Sequence, residues 1–210
     1  MPTVDWYFDF ISPFSYLQAE LLAREPLRAT MRCKPVLFAG LLEHWGQLGP
    51  AEIGPKRRFT FQYCLWKASQ LGIPMRMPPA HPFNPLRLLR LAIALDSAPA
   101  HCLSLFRFVF RDGNAPDDEE AWRSLVEGLG VCDVDRRISQ VDVKDALRGN
   151  GEEAIARGVF GVPTLAVGDE LFWGADATDM CRDYLAGSAL FSDPEMRRAG
   201  SLPEGIQRRR

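Results

Sequence analysis

Only the two ends of this chain read as β structure, and that limits the fold more than any other feature. Residues 3–10, T-V-D-W-Y-F-D-F, alternate and are rich in Val, Trp, Tyr and Phe, which predicts a buried strand. A helical pattern follows over residues 14–24, with Phe14, Leu17, Leu21 and Leu22 at helical spacing. Residues 31–38, M-R-C-K-P-V-L-F, predict a second strand, so the start of the chain implies a parallel βαβ unit. β character returns in V-F-G-V-P-T-L-A-V-G-D-E-L-F-W-G-A-D: strands at 164–167 and 170–173 flank a turn at Gly168-Asp169. A last helix follows Ala175-Asp176, with Met180, Tyr184 and Leu185 expected on its apolar side. One sheet assembled from both ends, with a helical insert between them, is the economical reading.

The middle of the chain fits that insert. Residues 39–55 are Gly/Pro-rich and predict a loop with about one helical turn. A helix then ends near Gly72, a C-cap candidate, and another opens with Asn84 as N-cap and Pro85 at the first helical position. A helix over A-H-C-L-S-L-F-R-F-V-F-R is followed by a polar loop, and two shorter helices are expected over 117–129 and 133–148.

Composition removes several classes of function. The 25 basic and 27 acidic residues nearly cancel, against a nucleic-acid binder, which shows a strong basic bias. The basic cluster Arg208-Arg209-Arg210 reads as a solvated tail. Five cysteines, widely spaced and with no C-x-x-C, make neither a disulfide framework nor a zinc site, and most are expected buried in a reducing compartment. Three scattered histidines predict no metal site. No basic n-region with an apolar core opens the chain, and no apolar run approaches the roughly 18 residues of a membrane span. The expected location is the cytoplasm.

Three short motifs carry the chemistry. S-P-F-S, Ser12 to Ser15, stands at the first strand-to-helix junction, where helix N–H groups and a partial positive charge stabilise anions, thiolates included. Ser12 also suits a plain N-cap role. In G-V-F-G-V-P-T, Pro163 is either an ordinary strand-entry residue or one with a cis bond that turns the Val162 backbone toward a ligand. In W-G-A-D, Asp176 either caps the last helix or grips a ligand ammonium.

Taken together the three motifs resemble the thioredoxin-like superfamily, and the helical insert resembles its DsbA-like branch. D-F-I-S-P-F-S-Y-L, H-P-F-N-P-L-R, F-R-D-G-N-A-P and the V-P-T to G-A-D segment are similar to 2-hydroxychromene-2-carboxylate isomerases, with the kappa-class glutathione transferases as a sister family. The resemblance spans about residues 4–187. It implies an α/β thioredoxin-like fold in which an all-helical insert (39–153) separates an N-terminal βαβ unit (1–38) from a C-terminal ββα unit (154–190), followed by a tail (191–210).

Ser12 and Ser15 then stand where a redox relative has two cysteines, so this pair cannot exchange disulfides. The resemblance implies that glutathione supplies the thiol and Ser12 donates a hydrogen bond to its sulfur, while Ser15 is structural. Glutathione would further meet Phe14, Gln47, Val162 (beside a cis Pro163), Ala175 and Asp176, the last through charge. The implied reaction is an isomerisation of 2-hydroxychromene-2-carboxylate or a related small aromatic or unsaturated carboxylate, by thiolate addition, ring opening, rotation and thiol release. Lys56, Arg57 and Asn84 are candidates for the substrate carboxylate, although a solvated helix start and an N-cap explain them equally. The alternatives are a kappa-like transferase that conjugates electrophiles, and a non-catalytic glutathione- or ligand-binding module. A homodimer is expected, with no partner nucleic acid or membrane. One departure bears on substrate. The family often has Y-x-x-x-D-x-x-R-W in the first insert helix, where this chain has Phe59, Tyr63 and Trp66 in place of the tyrosine, the acid and the arginine. His81 is expected to brace its loop rather than touch substrate.

Overall fold

The computed structural model describes residues 1–205. The expectation for Arg208, Arg209 and Arg210 lies outside the described residues. Strands β1 (Thr3–Phe8), β2 (Thr30–Pro35), β3 (Thr164–Val167) and β4 (Glu170–Trp173) form one sheet in the order β2-β1-β3-β4. β1 and β2 pair parallel, Trp6 opposite Cys33, across the connecting helix α1 (Pro13–Arg24). β3 joins β1 antiparallel, with Trp6 opposite Leu165, and β4 folds back on β3. Strand pairing therefore brings the two ends of the sequence together, and β1 is a central strand.

A central strand must bury both faces, and β1 does so by alternation. Val4, Trp6 and Phe8 enter the larger core, where Phe106 lies 6.0 Å from Trp6, 5.4 Å from Phe8 and 4.6 Å from Phe10, ring centre to ring centre. Tyr7 enters a smaller core with Val36, Leu41, Val159, Val162 and Ala166. Asp5, on the Tyr7 face, is buried but paired with Arg32 and Arg157 at 2.6 and 2.7 Å. Four cysteines are buried and Cys132 is exposed.

Between β2 and β3 run α2 (Phe38–Trp45), α3 (Gly54–Gln70), α4 (Leu86–Ala94), α5 (Pro99–Phe110), α6 (Glu119–Gly128), α7 (Val134–Ser139) and α8 (Val141–Ala156). After the hairpin come a 3-10 turn (Ala175–Ala177), α9 (Thr178–Leu185), a second 3-10 turn (Ala189–Ser192) and α10 (Pro194–Gly200). Among the described residues no helix is long and apolar enough to cross a membrane.

Several sequence expectations need correction. The glycine-rich start of the 39–55 stretch is part of a full helix, α2, because Leu41 buries in the smaller core and outweighs local propensity. The helix expected over 133–148 is two helices, divided at extended Gln140, and α8 continues through Gly149 and Gly151 because Leu147 and Ala154 are buried. On α9 it is Cys181, not Met180, that faces the core; Met180 is exposed. The cap of α4 is Pro85, whose carbonyl accepts the Leu89 N–H; Asn84 stands one residue earlier and its Oδ1 accepts the Leu86 N–H at 3.0 Å. Beyond residue 190 the chain is not all tail, since Phe191 packs on Phe172 and Tyr184 and Asp193 caps α10.

Candidate functional site

The site starts where β1 ends. Asp9 is wholly buried and its carboxylate accepts the Ile11 N–H at 3.1 Å and the Phe38 N–H at 2.8 Å. Its carbonyl accepts the Ser12 N–H at 3.0 Å. Asp9 thus folds the turn that delivers Ser12 to the head of α1. Burial pushes its carboxyl up to about 7, against the pull of the backbone donors. Ser12 is an N-cap in extended conformation, and its Oγ accepts the Ser15 N–H at 3.2 Å. The same hydroxyl faces the Val162 carbonyl at 3.5 Å, too long for a strong O–H···O bond. Two motifs 150 residues apart therefore meet at this oxygen. The Val162–Pro163 bond is cis, as is His81–Pro82. Ser15 is fully buried, and its Oγ has no partner among the described residues.

The G-A-D motif is held to the same helix. Gln18, two turns below the cap and completely buried, accepts from Trp6 Nε1 at 2.7 Å and donates to the Gly174 carbonyl at 3.2 Å and to Thr178 Oγ1 at 2.9 Å. Asp176 does not cap α9: it lies in the preceding 3-10 turn, and the α9 cap, Ala177, has no side chain that could do so. The Asp176 carboxylate is exposed and folds over Gly174, at the place a Cβ there would occupy. Gly174 has φ +99°, so it is needed both for backbone conformation and for space. Ala175 is half-buried beside it, its carbonyl accepting from Thr178 Oγ1 at 2.7 Å.

The remaining candidates lie on α1, in the first turn of α3, and beside the ends of α2 and α4. Phe14, half-buried in the first turn of α1, lies 6.1 Å from Tyr63 of α3. Lys56 and Arg57 are exposed in the first turn of α3. Gln47 is exposed just past α2, where its N–H bonds the Leu42 carbonyl; Trp45 ties that helix end to the Val159 carbonyl at 3.0 Å. Asn84 is exposed at the α4 entry. His81 ties its loop to the turn before Ser12: its Nε2–H donates to the Ile11 carbonyl at 2.6 Å. Burial, with Arg57 nearby as a lesser cause, holds its imidazole below the ordinary value.

Ser12, Val162 and Pro163 thus converge directly, Phe14 adjoins them, and Ala175-Asp176 is linked through Gln18. Gln47, Lys56, Arg57 and Asn84 are exposed at helix ends. Asp9, Gln18 and Gly174 were missed by sequence reasoning. A carboxylate and an amide at apolar-face positions were the available signals for the first two.

Residues 3–186 match the model of the DSBA-like thioredoxin domain. A 2-hydroxychromene-2-carboxylate isomerase of Sphingobium xenophagum is 30% identical over 195 residues, covering 87% of this chain and 97% of that protein. Glutathione s-transferase kappa 2 of Caenorhabditis elegans is 28% identical over 205 residues, covering 87% and 91%. The solved structure of a 2-hydroxychromene-2-carboxylate isomerase superimposes with a TM-score of 0.75 at 28% identity, covering 92% of this chain and 98% of that one. These relatives are enzymes, isomerases and a transferase, and their length is almost fully matched here. The chain belongs to the DSBA-like thioredoxin domain family, within the group that holds the 2-hydroxychromene-2-carboxylate isomerases.

Proposed function

We propose that this protein is a glutathione-dependent isomerase of 2-hydroxychromene-2-carboxylate or a related small aromatic or unsaturated carboxylate. The observation that carries the proposal is Ser12: a buried hydroxyl at a helix N-terminus whose O–H has only a long, 3.5 Å contact within the protein. Such a donor is available to a stronger acceptor, and a thiolate is one. Bound glutathione would supply the nucleophilic sulfur that adds to the conjugated acceptor and leaves after ring opening and rotation. The chain's own residues do the rest. Ser12 donates to the sulfur, and the α1 N-terminus adds its partial positive charge, so the thiol pKa falls. Val162, held beside Ser12, offers backbone groups to an extended peptide, with Pro163 and Phe14 flanking it. Asp176, exposed and not engaged as a cap, meets the γ-glutamyl ammonium, with Ala175 beside it. Gln47 lies at the rim for the peptide. Lys56, Arg57 and Asn84 are the groups for the substrate carboxylate. The protein is further proposed to act as a cytoplasmic homodimer.

A kappa-like transferase activity is the second reading, favoured by the 28% identical kappa relative. Product analysis separates the two, since an isomerase releases the thiol and a transferase retains it as conjugate. Ser12→Ala tests both. Turnover is expected to fall about 10²–10³-fold, as for loss of one preorganised donor, while glutathione affinity changes only a few-fold. Thiolate absorbance should give bound glutathione a pKa below that of the free tripeptide. An unchanged turnover would remove Ser12 from the chemistry, and no fall in thiol pKa would count against both enzyme readings and favour a non-catalytic binding module.

A further inference from the structure

His81 belongs to the loop between α3 and α4, 70 residues along the chain from the peptide it holds. That peptide is the one joining Ile11 to Ser12. Its carbonyl accepts from His81 Nε2 at 2.6 Å, and its N–H, on Ser12, donates to the Asp9 carbonyl at 3.0 Å. Both polar groups of the unit that carries Ser12 are therefore tied, one by backbone and one by a side chain of the helical insert. The ring has one way to do this. Its Nδ1 is buried and has no hydrogen-bond partner among the described residues, and the rings of Phe61 and Phe83 stand edge-on to it at 4.8 and 5.7 Å. A proton on Nδ1 in place of Nε2 would bury an unpaired N–H and set the Nε2 lone pair against the carbonyl. The imidazolium would bury the same unpaired N–H, and Arg57 of α3 is a like charge that opposes it. His81 is thus held as a neutral Nε2–H donor.

We propose that His81 is a positioning residue for the Ser12 hydroxyl, fixing the Ile11–Ser12 peptide so that the hydroxyl keeps its place at the head of α1. Its connection to catalysis rests on the isomerase reading proposed above. Ser12 Oγ accepts the Ser15 N–H at 3.2 Å and stands 3.5 Å from the Val162 carbonyl, so its O–H has no strong acceptor inside the protein. The backbone from which it hangs, rather than a bond of its own, sets its direction. A turn freed at the Ile11 carbonyl can rotate that peptide, and a displacement of about 1 Å at a reacting group costs on the order of 100-fold in rate. Asp9 still holds the Ile11 N–H at 3.1 Å, so loss of His81 leaves the turn attached but clamped at one end only. The effect belongs to rate more than to binding, because the proposed peptide contacts at Val162 and Asp176 come from other elements.

His81→Leu removes the donor and keeps an apolar side chain between Phe61 and Phe83. His81→Gln returns an N–H at a similar reach with no titrating group. With glutathione and 2-hydroxychromene-2-carboxylate, kcat should fall at least about 10-fold in His81→Leu while KM for glutathione changes less than about 3-fold. The thiol pKa of bound glutathione should move back toward its free value in the same variant. His81→Gln should recover most of kcat. Two readouts need no glutathione. In the natural protein at neutral pH, nitrogen NMR should show the His81 ring as the neutral Nε2–H tautomer. Amide exchange at Ser12 should quicken at least about 10-fold in His81→Leu while Trp6 and Tyr7 of β1 keep their rates, which separates a loosened turn from a weakened fold. A ring protonated on Nδ1, an unchanged Ser12 exchange rate, or equal turnover by the Leu and Gln variants overturns the proposal, and so does a loss that falls on KM with kcat intact. If the natural protein neither binds glutathione nor turns over the chromene, the isomerase reading fails, and the tautomer and exchange results decide by themselves whether His81 holds the Ser12 turn.

Discussion

The two walls of the Ser12 site are built in opposite ways. On the sheet side, Asp9, Ser12, Gln18 and Thr178 are buried and tied to one another or to backbone across α1, β1 and the 174–178 turn. On the α3 side the surface is Phe59 and Trp66, open to solvent, joined through the half-buried ring of Tyr63. A wall of buried polar groups tolerates little change, because each lost partner leaves an unsatisfied group. A wall of exposed rings can change without penalty to the fold.

The sharpest way to break this contrast is to charge the polar wall. The Asp9 carboxyl is pushed up to about 7 by burial, from an unfolded value near 3.8. Between those two values the folded state binds the proton that the unfolded state has lost, so stability falls as pH rises through that window. A shift of about three units corresponds to something of the order of 4 kcal/mol between pH 4 and pH 8. His81, held below its ordinary value, works in the opposite sense below about 6.5, so the measurement is the difference between proteins rather than the raw slope. Asp9→Asn should lower stability by a fixed amount, because one of the two N–H donors loses its acceptor, and should remove the descending component. Urea unfolding at pH 5, 6, 7 and 8 checks it; parallel curves for the two proteins would mean that Asp9 is ionised throughout.

Gln18→Leu should come next in size. The side chains are close in volume, but Trp6 Nε1 loses its acceptor inside the core and the Gly174 carbonyl loses a donor. At roughly 1–3 kcal/mol for each buried orphan, about 3 kcal/mol of destabilisation is expected. The urea midpoint should drop with no change in m-value. A loss under about 1 kcal/mol would show that the 174–178 turn is held without the amide, and the polar wall would be looser than its hydrogen bonds suggest.

The same contrast explains what could be read in the sequence. The sheet wall was legible because its chemistry is local: S-P at a strand end, V-P-T before a hairpin and G-A-D before a helix each carry their own turn grammar. The hairpin, α1 and the parallel β1–β2 pair followed from alternation and helical spacing. Gln18 and Asp9 were hidden because their partners are far off in sequence: Gly174 is 156 residues from Gln18, and Phe38 is 29 from Asp9. α2 was hidden for the same reason, since burial of Leu41 against the far side of the sheet decides it rather than its glycines. Asp176 read as a cap because a carboxylate ahead of a helix often is one, and an intervening 3-10 turn moved it out of range. The departures on α3 were visible as residues, but their joining into one row needed Phe14 and Tyr63 to be brought together by folding.

The smallest expected effect falls on the open wall, and it is the one that tests the contrast from the other side. Phe59→Ser and Trp66→Gln remove exposed rings whose partners are other surface rings, so each should change stability by no more than about 0.5 kcal/mol. Thermal unfolding at one protein concentration, then at a tenfold higher one, gives the answer. A larger loss that shrinks with dilution of the natural protein would mean that the rings are covered by a second copy in solution, because only an associating fold has a concentration-dependent midpoint. A larger loss that is independent of concentration would mean that the aromatic row braces α3 against α1 through Tyr63 and Phe14, and the two walls would then be one structure rather than a fixed half and a free half.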